Sequence, residues 1–287
     1  MEHDFDGVFK CFKSIFLCFL LSVTYLASLH VWNSRFNRDH PSTIKKRFIS
    51  AFTMLFVSPC FLYIGLDDET VEKAAFLEIM GLRYQGLGQA IFVPLFLTMI
   101  LFLGPISMEL CNGFSKLYAK RKEENQQHTN KLIWIRNHLV APLSEEFTYR
   151  SCMLPVLLQS FTPTATVLSS PLFFGVAHFH HMWERIHHMG MSFDSALKIS
   201  CFQFTYTTMF GMYSAYLFYR TGHFVSIFIV HAFCNHMGFP DIAEICTYKP
   251  RKRITIVSLF VLGFVSWCFL LVPLTEPRRY HNNLLLF

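Results

Sequence analysis

Residues 254–272, ITIVSLFVLGFVSWCFLLV, are 19 consecutive positions without a charged side chain. About 20 such residues, wound as a helix, cross the hydrocarbon of a bilayer. Seven further apolar blocks of similar length precede this stretch, over 8–32, 48–66, 90–110, 132–154, 161–179, 199–219 and 224–239. A segment in lipid has to satisfy its own backbone hydrogen bonds, so each block reads as a helix. Composition agrees. Of 287 residues, 53% are hydrophobic and 15% charged, where a soluble domain carries about 25% charged residues. The expected fold class is all-α, a polytopic integral membrane protein with about eight transmembrane helices around a polar cavity, forming one domain over residues 1–287. Disordered, collagenous, disulfide-scaffold and nucleic-acid-binding classes are excluded.

The nine cysteines form no C-x-x-C pair, and eight of them (Cys11, Cys18, Cys60, Cys111, Cys152, Cys201, Cys234, Cys268) lie in or beside apolar blocks, where cysteine acts as a small hydrophobe. The leader before the first block carries Glu2, Asp4 and Asp6 in place of a basic cluster, so that block reads as a retained signal anchor. Basic connectors follow the first block (Arg35, Arg38, Lys45, Lys46, Arg47) and the third (Lys116, Lys120, Arg121, Lys122, Lys131), and Lys249, Arg251, Lys252 and Arg253 precede the last. With eight crossings and an extracytoplasmic N-terminus, all three face the cytosol, as the positive-inside rule requires. Arg278 and Arg279 run against this scheme. The net charge of +6 then describes a face lying against anionic lipid.

Polar groups inside such blocks carry the chemical information, because an ionised side chain at a helix centre costs about 2.5–3.5 kcal/mol on insertion scales. The fourth block contains Ser144-Glu145-Glu146-Phe147-Thr148-Tyr149-Arg150. Glu146 and Arg150 are four apart and share a helical face, so they are expected to pair. Glu145 points about 100° away and is left for proton transfer, or for the interface if the cluster is only a buried ion pair. The fifth block ends in Phe174-x-x-x-His178, and the seventh contains His231-x-x-x-Asn235. His231 and Asn235 share a face, as donors to one oxygen or as an interhelical clasp. A carboxylate, a histidine and a His/Asn donor pair meeting in one cavity are the minimum set for hydrolysing an amide: an activated water, an oxyanion hole and an acid for the leaving amine.

Glu145-Glu146-x-x-x-Arg150, Phe174-x-x-x-His178 and His231-x-x-x-Asn235, in that order and each on its own apolar helix, resemble the three motifs of the type II CAAX prenyl proteases, the Ras-converting endopeptidases. These sit within the wider family of intramembrane CAAX-protease and bacteriocin-processing enzymes. The resemblance covers about 132–239 by motif, the catalytic core it implies, and the whole chain by topology. It implies a multi-pass protease of the endoplasmic reticulum membrane that removes the C-terminal -aaX tripeptide from farnesylated or geranylgeranylated CaaX proteins such as Ras-type small GTPases. The site would open to the cytosol and laterally to lipid. Carried over by position, Glu145 and His178 activate water, His231 and Asn235 stabilise the oxyanion, and Glu146, Arg150 and Phe174 support them, with no metal and no cofactor.

Three rival readings remain open at this level. Metal hydrolysis would use Glu145, His178 and His231, or the His178, His180, His181, His187 and His188 group, although the latter reads more simply as a solvated connector. A cysteine mechanism would use Cys234 or Cys152. A non-enzymatic transporter or scaffold would use the same polar residues as a permeation path or helix clasp, with Gly211-x-x-x-Ala215 as a close-packing motif.

Overall fold

The computed structural model describes residues 2–32, 36–120 and 127–282, with side chains described for 7–32, 36–111 and 131–282. Glu2, Asp4 and Asp6 of the leader, together with Arg35, Lys116, Lys120, Arg121, Lys122, Glu123 and Glu124 of the connectors, lie outside the described side chains. Each of the eight apolar blocks coincides with a helical stretch, and no strand occurs among the described residues. The principal helices are α1 (Glu2–His30), α2 (Pro41–Gly65), α3 (Leu87–Leu101), α4 (Leu103–Lys120), α5 (127–158), α6 (Pro163–Ala177), α7 (His180–His187), α8 (Phe193–Thr221), α9 (Phe224–Met237), α10 (Ile242–Thr247) and α11 (Pro250–Leu274), with short turns of helix at Asp68–Lys73, Phe76–Ile79 and Pro277–Tyr280.

By length and apolar composition, α1, α2 and α11 suit a membrane crossing, and the pair α3 and α4 does so together. The third block, expected as one straight span, bends by 72° between α3 and α4. Pro105 explains the break. It has no N–H for the carbonyl of Leu101, and its ring crowds that carbonyl. The helix resumes with Ile106 N–H donating to Phe102 O at 2.8 Å. The motif-bearing helices differ from these four. At 15 and 14 residues, α6 and α9 are shorter than the roughly 20 that a straight crossing takes, and α5 and α8 carry polar side chains along their buried lengths.

Packing reflects this difference. Only 11% of the most apolar window of α11 is buried, and Val257, Val261, Phe264, Phe269 and Val272 stand exposed on it, a surface that belongs in hydrocarbon. Helix α5 is interior from Val140 to Leu157, while Trp134 and Leu139 before it are exposed. Cys152, Met153 and Leu154 are fully buried and pack against Cys18, Leu21, Met54 and Leu62 of α1 and α2 and Leu217 of α8. Hydroxyl pairs fix its rotation. Tyr25 bonds Ser144 at 3.0 Å, Ser22 bonds Tyr149 at 3.1 Å, and Ser58 bonds Thr148 at 3.0 Å. Interhelical hydrogen bonds of this kind are what hold helices together where no hydrophobic difference separates lipid from protein.

Candidate active site

Two π-helical segments interrupt α5, at Arg136–Val140 and Phe147–Cys152. Between them lies Ala141–Glu146, which carries both acids of the fourth block. Such wide turns are frequent at functional sites, and each rotates the residues beyond it to a new facing.

Glu146 is fully buried and wholly satisfied. Its Oε1 accepts from Arg150 Nη1 at 3.2 Å and from His231 Nδ1 at 2.6 Å, and its Oε2 accepts from Ser214 Oγ at 2.6 Å. The pairing expected from the four-residue spacing is therefore present. A carboxylate removed from water is tolerated only when paired and hydrogen-bonded in this way. Ser214, on α8, was not among the expected site residues. It stands in a run without a recognisable motif, and its only signal was a hydroxyl on the face shared with Gly211.

Arg150 is 2% exposed, with its guanidinium carbon 4.5 Å from the centroid of Phe174. Phe174 meets three other rings near edge-on, Tyr149 at 5.3 Å, His178 at 4.6 Å and His231 at 6.4 Å between centroids, and so acts as the spacer of the cluster. Gly211 makes room for the arginine. A Cβ there would lie 2.8 Å from Arg150 Nη2 and 2.7 Å from Pro171 Cβ. Gly211→Ala is expected to displace Arg150 and cost about 2 kcal/mol by overpacking, read as a lowered unfolding midpoint in detergent. An unchanged midpoint would mean that α8 can yield at this point.

Glu145 differs from its neighbour. Its Oε2 stands 3.8 Å from His231 Nε2, too far for a direct hydrogen bond, so the two acids flank opposite nitrogens of one imidazole. His178, at the end of α6, donates from Nδ1 to Phe174 O at 2.7 Å. In a neutral ring this leaves the lone pair on Nε2. Glu145 and His178 line a cavity of about 110 Å3, together with Tyr25, Ser144, Tyr149 and Phe174. Glu146, Arg150 and His231 do not line it; His231 stands behind Glu145, its Nε2 reaching the cavity edge only at that carboxylate.

Asn235 is exposed, outside the cavity lining, and donates from Nδ2 to Asn137 O at 2.9 Å. The π turn explains why that carbonyl is free. Ala141 N–H, its partner in an α-helix, donates instead to Arg136 O, and the next residue, Pro142, has no N–H to offer. His231 and Asn235 therefore act on different parts of α5, one on a carboxylate and one on a backbone carbonyl, an arrangement that matches the interhelical clasp among the two expected readings.

The connector expected to be solvated is only partly so. His187 and His188 are exposed, while His180 and His181 line the cavity and Glu184 is 8% exposed. Burial pushes His180 down to about 2 and His181 down to about 4, so both rings are neutral near pH 7. Cys152 and Cys234 lie outside the cavity lining, among buried apolar side chains. Among the described residues, no group of three or more His, Cys, Asp or Glu side chains is arranged to hold a metal ion.

Apolar helices enclosing an acid–imidazole–arginine cluster beside a small open cavity define a membrane-embedded protein with the side-chain set of a hydrolase. The profile of the type II CAAX prenyl endopeptidase Rce1-like proteins matches residues 127–237. The CAAX prenyl protease 2 of Homo sapiens is 37% identical over 94% of this chain and 83% of its own length. That of Caenorhabditis elegans is 32% identical over 88% and 93%, and that of Arabidopsis thaliana 30% over 83% and 80%. No solved structure gives a significant match. This chain belongs to the type II CAAX prenyl protease family and is a peptidase.

Proposed function

We propose that this peptidase removes the -aaX tripeptide from farnesylated or geranylgeranylated CaaX proteins, Ras-type small GTPases among them, at the endoplasmic reticulum membrane, with its cavity reached from the cytosol. The observation that carries the mechanism is the division between the two acids: Glu145 lines the cavity with His178, while Glu146 is consumed by Arg150, His231 and Ser214.

In this reading, water in the cavity, one O–H held by the lone pair of His178 Nε2, attacks the scissile carbonyl carbon as Glu145 accepts its other proton. The carbonyl π electrons move to oxygen, and His231 donates to that oxyanion from Nε2. Glu146, holding Nδ1, orients the ring and balances the charge of its doubly protonated form. Collapse expels the amine, which recovers the proton from the acid formed in the first step. Asn235 is assigned to positioning, because its amide holds the Asn137 carbonyl freed by the π turn. Phe174 and Arg150 keep the two imidazoles apart and in register. The prenyl chain stays in hydrocarbon, where each buried CH₂ contributes about 0.8 kcal/mol.

The test is incubation of detergent-purified protein with a farnesylated CaaX peptide and its unprenylated twin, with and without chelator. Release of the tripeptide from the prenylated peptide is expected to exceed that from its twin by at least about a hundredfold and to persist in chelator. Equal cleavage of both peptides would overturn the substrate assignment, and chelator-dependent loss would overturn the water activation proposed for Glu145 and His178.

A further inference from the structure

Besides its acidic end, the cavity has a basic one. Arg38, Arg47 and Arg136 line it, and two acids stand among them. Asp39 lies 2.8 Å from Arg136 Nη1 and 3.8 Å from Arg38 Nε, and Glu184 Oε1 accepts from Arg38 N at 3.2 Å. Arg38 also donates to His181 at 3.4 Å, and Arg136 donates to the side chain of Asn137 at 2.9 Å. Three cations thus face two anions. The excess belongs to Arg47, which makes no hydrogen bond among the described residues and whose Nε is buried without a partner. Burying a guanidinium nitrogen unpaired is costly, and a planar fork of N–H groups matches a carboxylate.

Distance along α5 sets what fits. Arg136 and Glu145 are nine positions apart. At about 100° per residue they would face opposite sides of a regular helix. The π turn at Arg136–Val140 takes up an extra residue and leaves an offset of about 80°, so that both line one cavity. Their axial separation is about 13 Å at about 1.5 Å per residue. Three extended residues reach about 10 Å, and the length of the Arg136 side chain covers the difference; Arg38 and Arg47 line the cavity with it.

We propose that Arg47, supported by Arg38 and Arg136, binds the free C-terminal carboxylate of the substrate and so places the peptide bond three residues upstream at Glu145. The proposal rests on the peptidase reading above and deepens it. The arginines act as a ruler, selecting chain ends and the length of the released piece. The negative charge of Glu145 at the opposite end repels a carboxylate placed in reverse.

The experiment compares a farnesylated CaaX peptide bearing a free carboxylate with its C-terminal carboxamide, using the purified protein and Arg47→Gln. The wild-type protein is expected to favour the carboxylate by about tenfold or more in kcat/KM, the usual worth of a charged hydrogen bond, and Arg47→Gln to bring the ratio close to one. Equal cleavage of both peptides by the wild-type protein overturns the proposal, as does an undiminished ratio in Arg47→Gln. An activation by anionic phospholipid that disappears in Arg47→Gln while the peptide ratio stays intact assigns the arginines to lipid headgroups and also overturns it. Should Arg47→Gln fail to fold, product inhibition of the wild-type protein decides: the free tripeptide is expected to inhibit about tenfold or more better than its amide, and equal inhibition counts against the carboxylate site. Absence of cleavage of either peptide by the wild-type protein is a distinct result, which removes the substrate assignment and this proposal with it.

Discussion

Replacing Glu145 by Gln is expected to lower kcat for a farnesylated CaaX peptide by about a thousandfold, within the range by which a general base accelerates proton transfer, with KM and the unfolding midpoint little changed. The reason is geometric. Among the described residues, the Glu145 carboxylate has one partner within 4 Å, His231 Nε2 at 3.8 Å, and the side chain lines the cavity. Little of the fold rests on its charge, whereas the proposed water activation rests on it wholly. An amide of the same shape preserves packing and cannot accept the proton. Turnover by Glu145→Gln within tenfold of the wild-type rate would remove this side chain from the chemistry and return the role of base to His178 alone.

The second large effect is on stability. Arg150→Ala is expected to destabilise the protein by about 3–5 kcal/mol, the cost of leaving a buried charge without its partner, seen as a lowered unfolding midpoint and a reduced folded yield. Glu146 is 0% exposed and Arg150 2%, so water cannot replace the lost guanidinium. The double replacement Glu146→Gln, Arg150→Met removes both charges and is expected to recover part of that loss. It is not expected to recover activity, since His231 Nδ1 then faces a neutral amide. A midpoint for Arg150→Ala equal to that of the wild-type protein would show that the pair is dispensable for folding. Recovery of full turnover in the double replacement would show that the charge of Glu146 does nothing for His231.

The two acids are adjacent in the chain and stand in different surroundings, one lining the cavity and one fully hydrogen-bonded, and part of this division was legible from spacing alone. Glu146 and Arg150 lie one helical turn apart, so any helical reading pairs them, and the structure has them at 3.2 Å. The eight helical stretches were legible for the same reason: apolar length and backbone satisfaction are local properties of a chain in lipid. The bend at the third block was readable in principle from Pro105, whose missing N–H is a local fact as well.

Other features had no local signature. Ser214 reaches Glu146 across 68 positions, His231 across 85, and Asn235 reaches Asn137 across 98. Each contact depends on which helices pack together and at what rotation, which helical periodicity does not specify. The arginines of the cavity come from a connector, the start of α2 and a π turn in α5; Arg38 and Arg47 read only as positive-inside charges, and Arg136, inside the fourth block, carried no assigned role. The helices, their apolar faces and the pairs one turn apart are written in the order of residues, because backbone geometry within a few positions dictates them. Packing in three dimensions was needed to put Glu145 and His178 in one cavity and to wall Glu146 off from it. That outcome turns on two π turns and on close contacts such as Gly211 against Arg150, where a change of one residue in register re-aims every side chain beyond it.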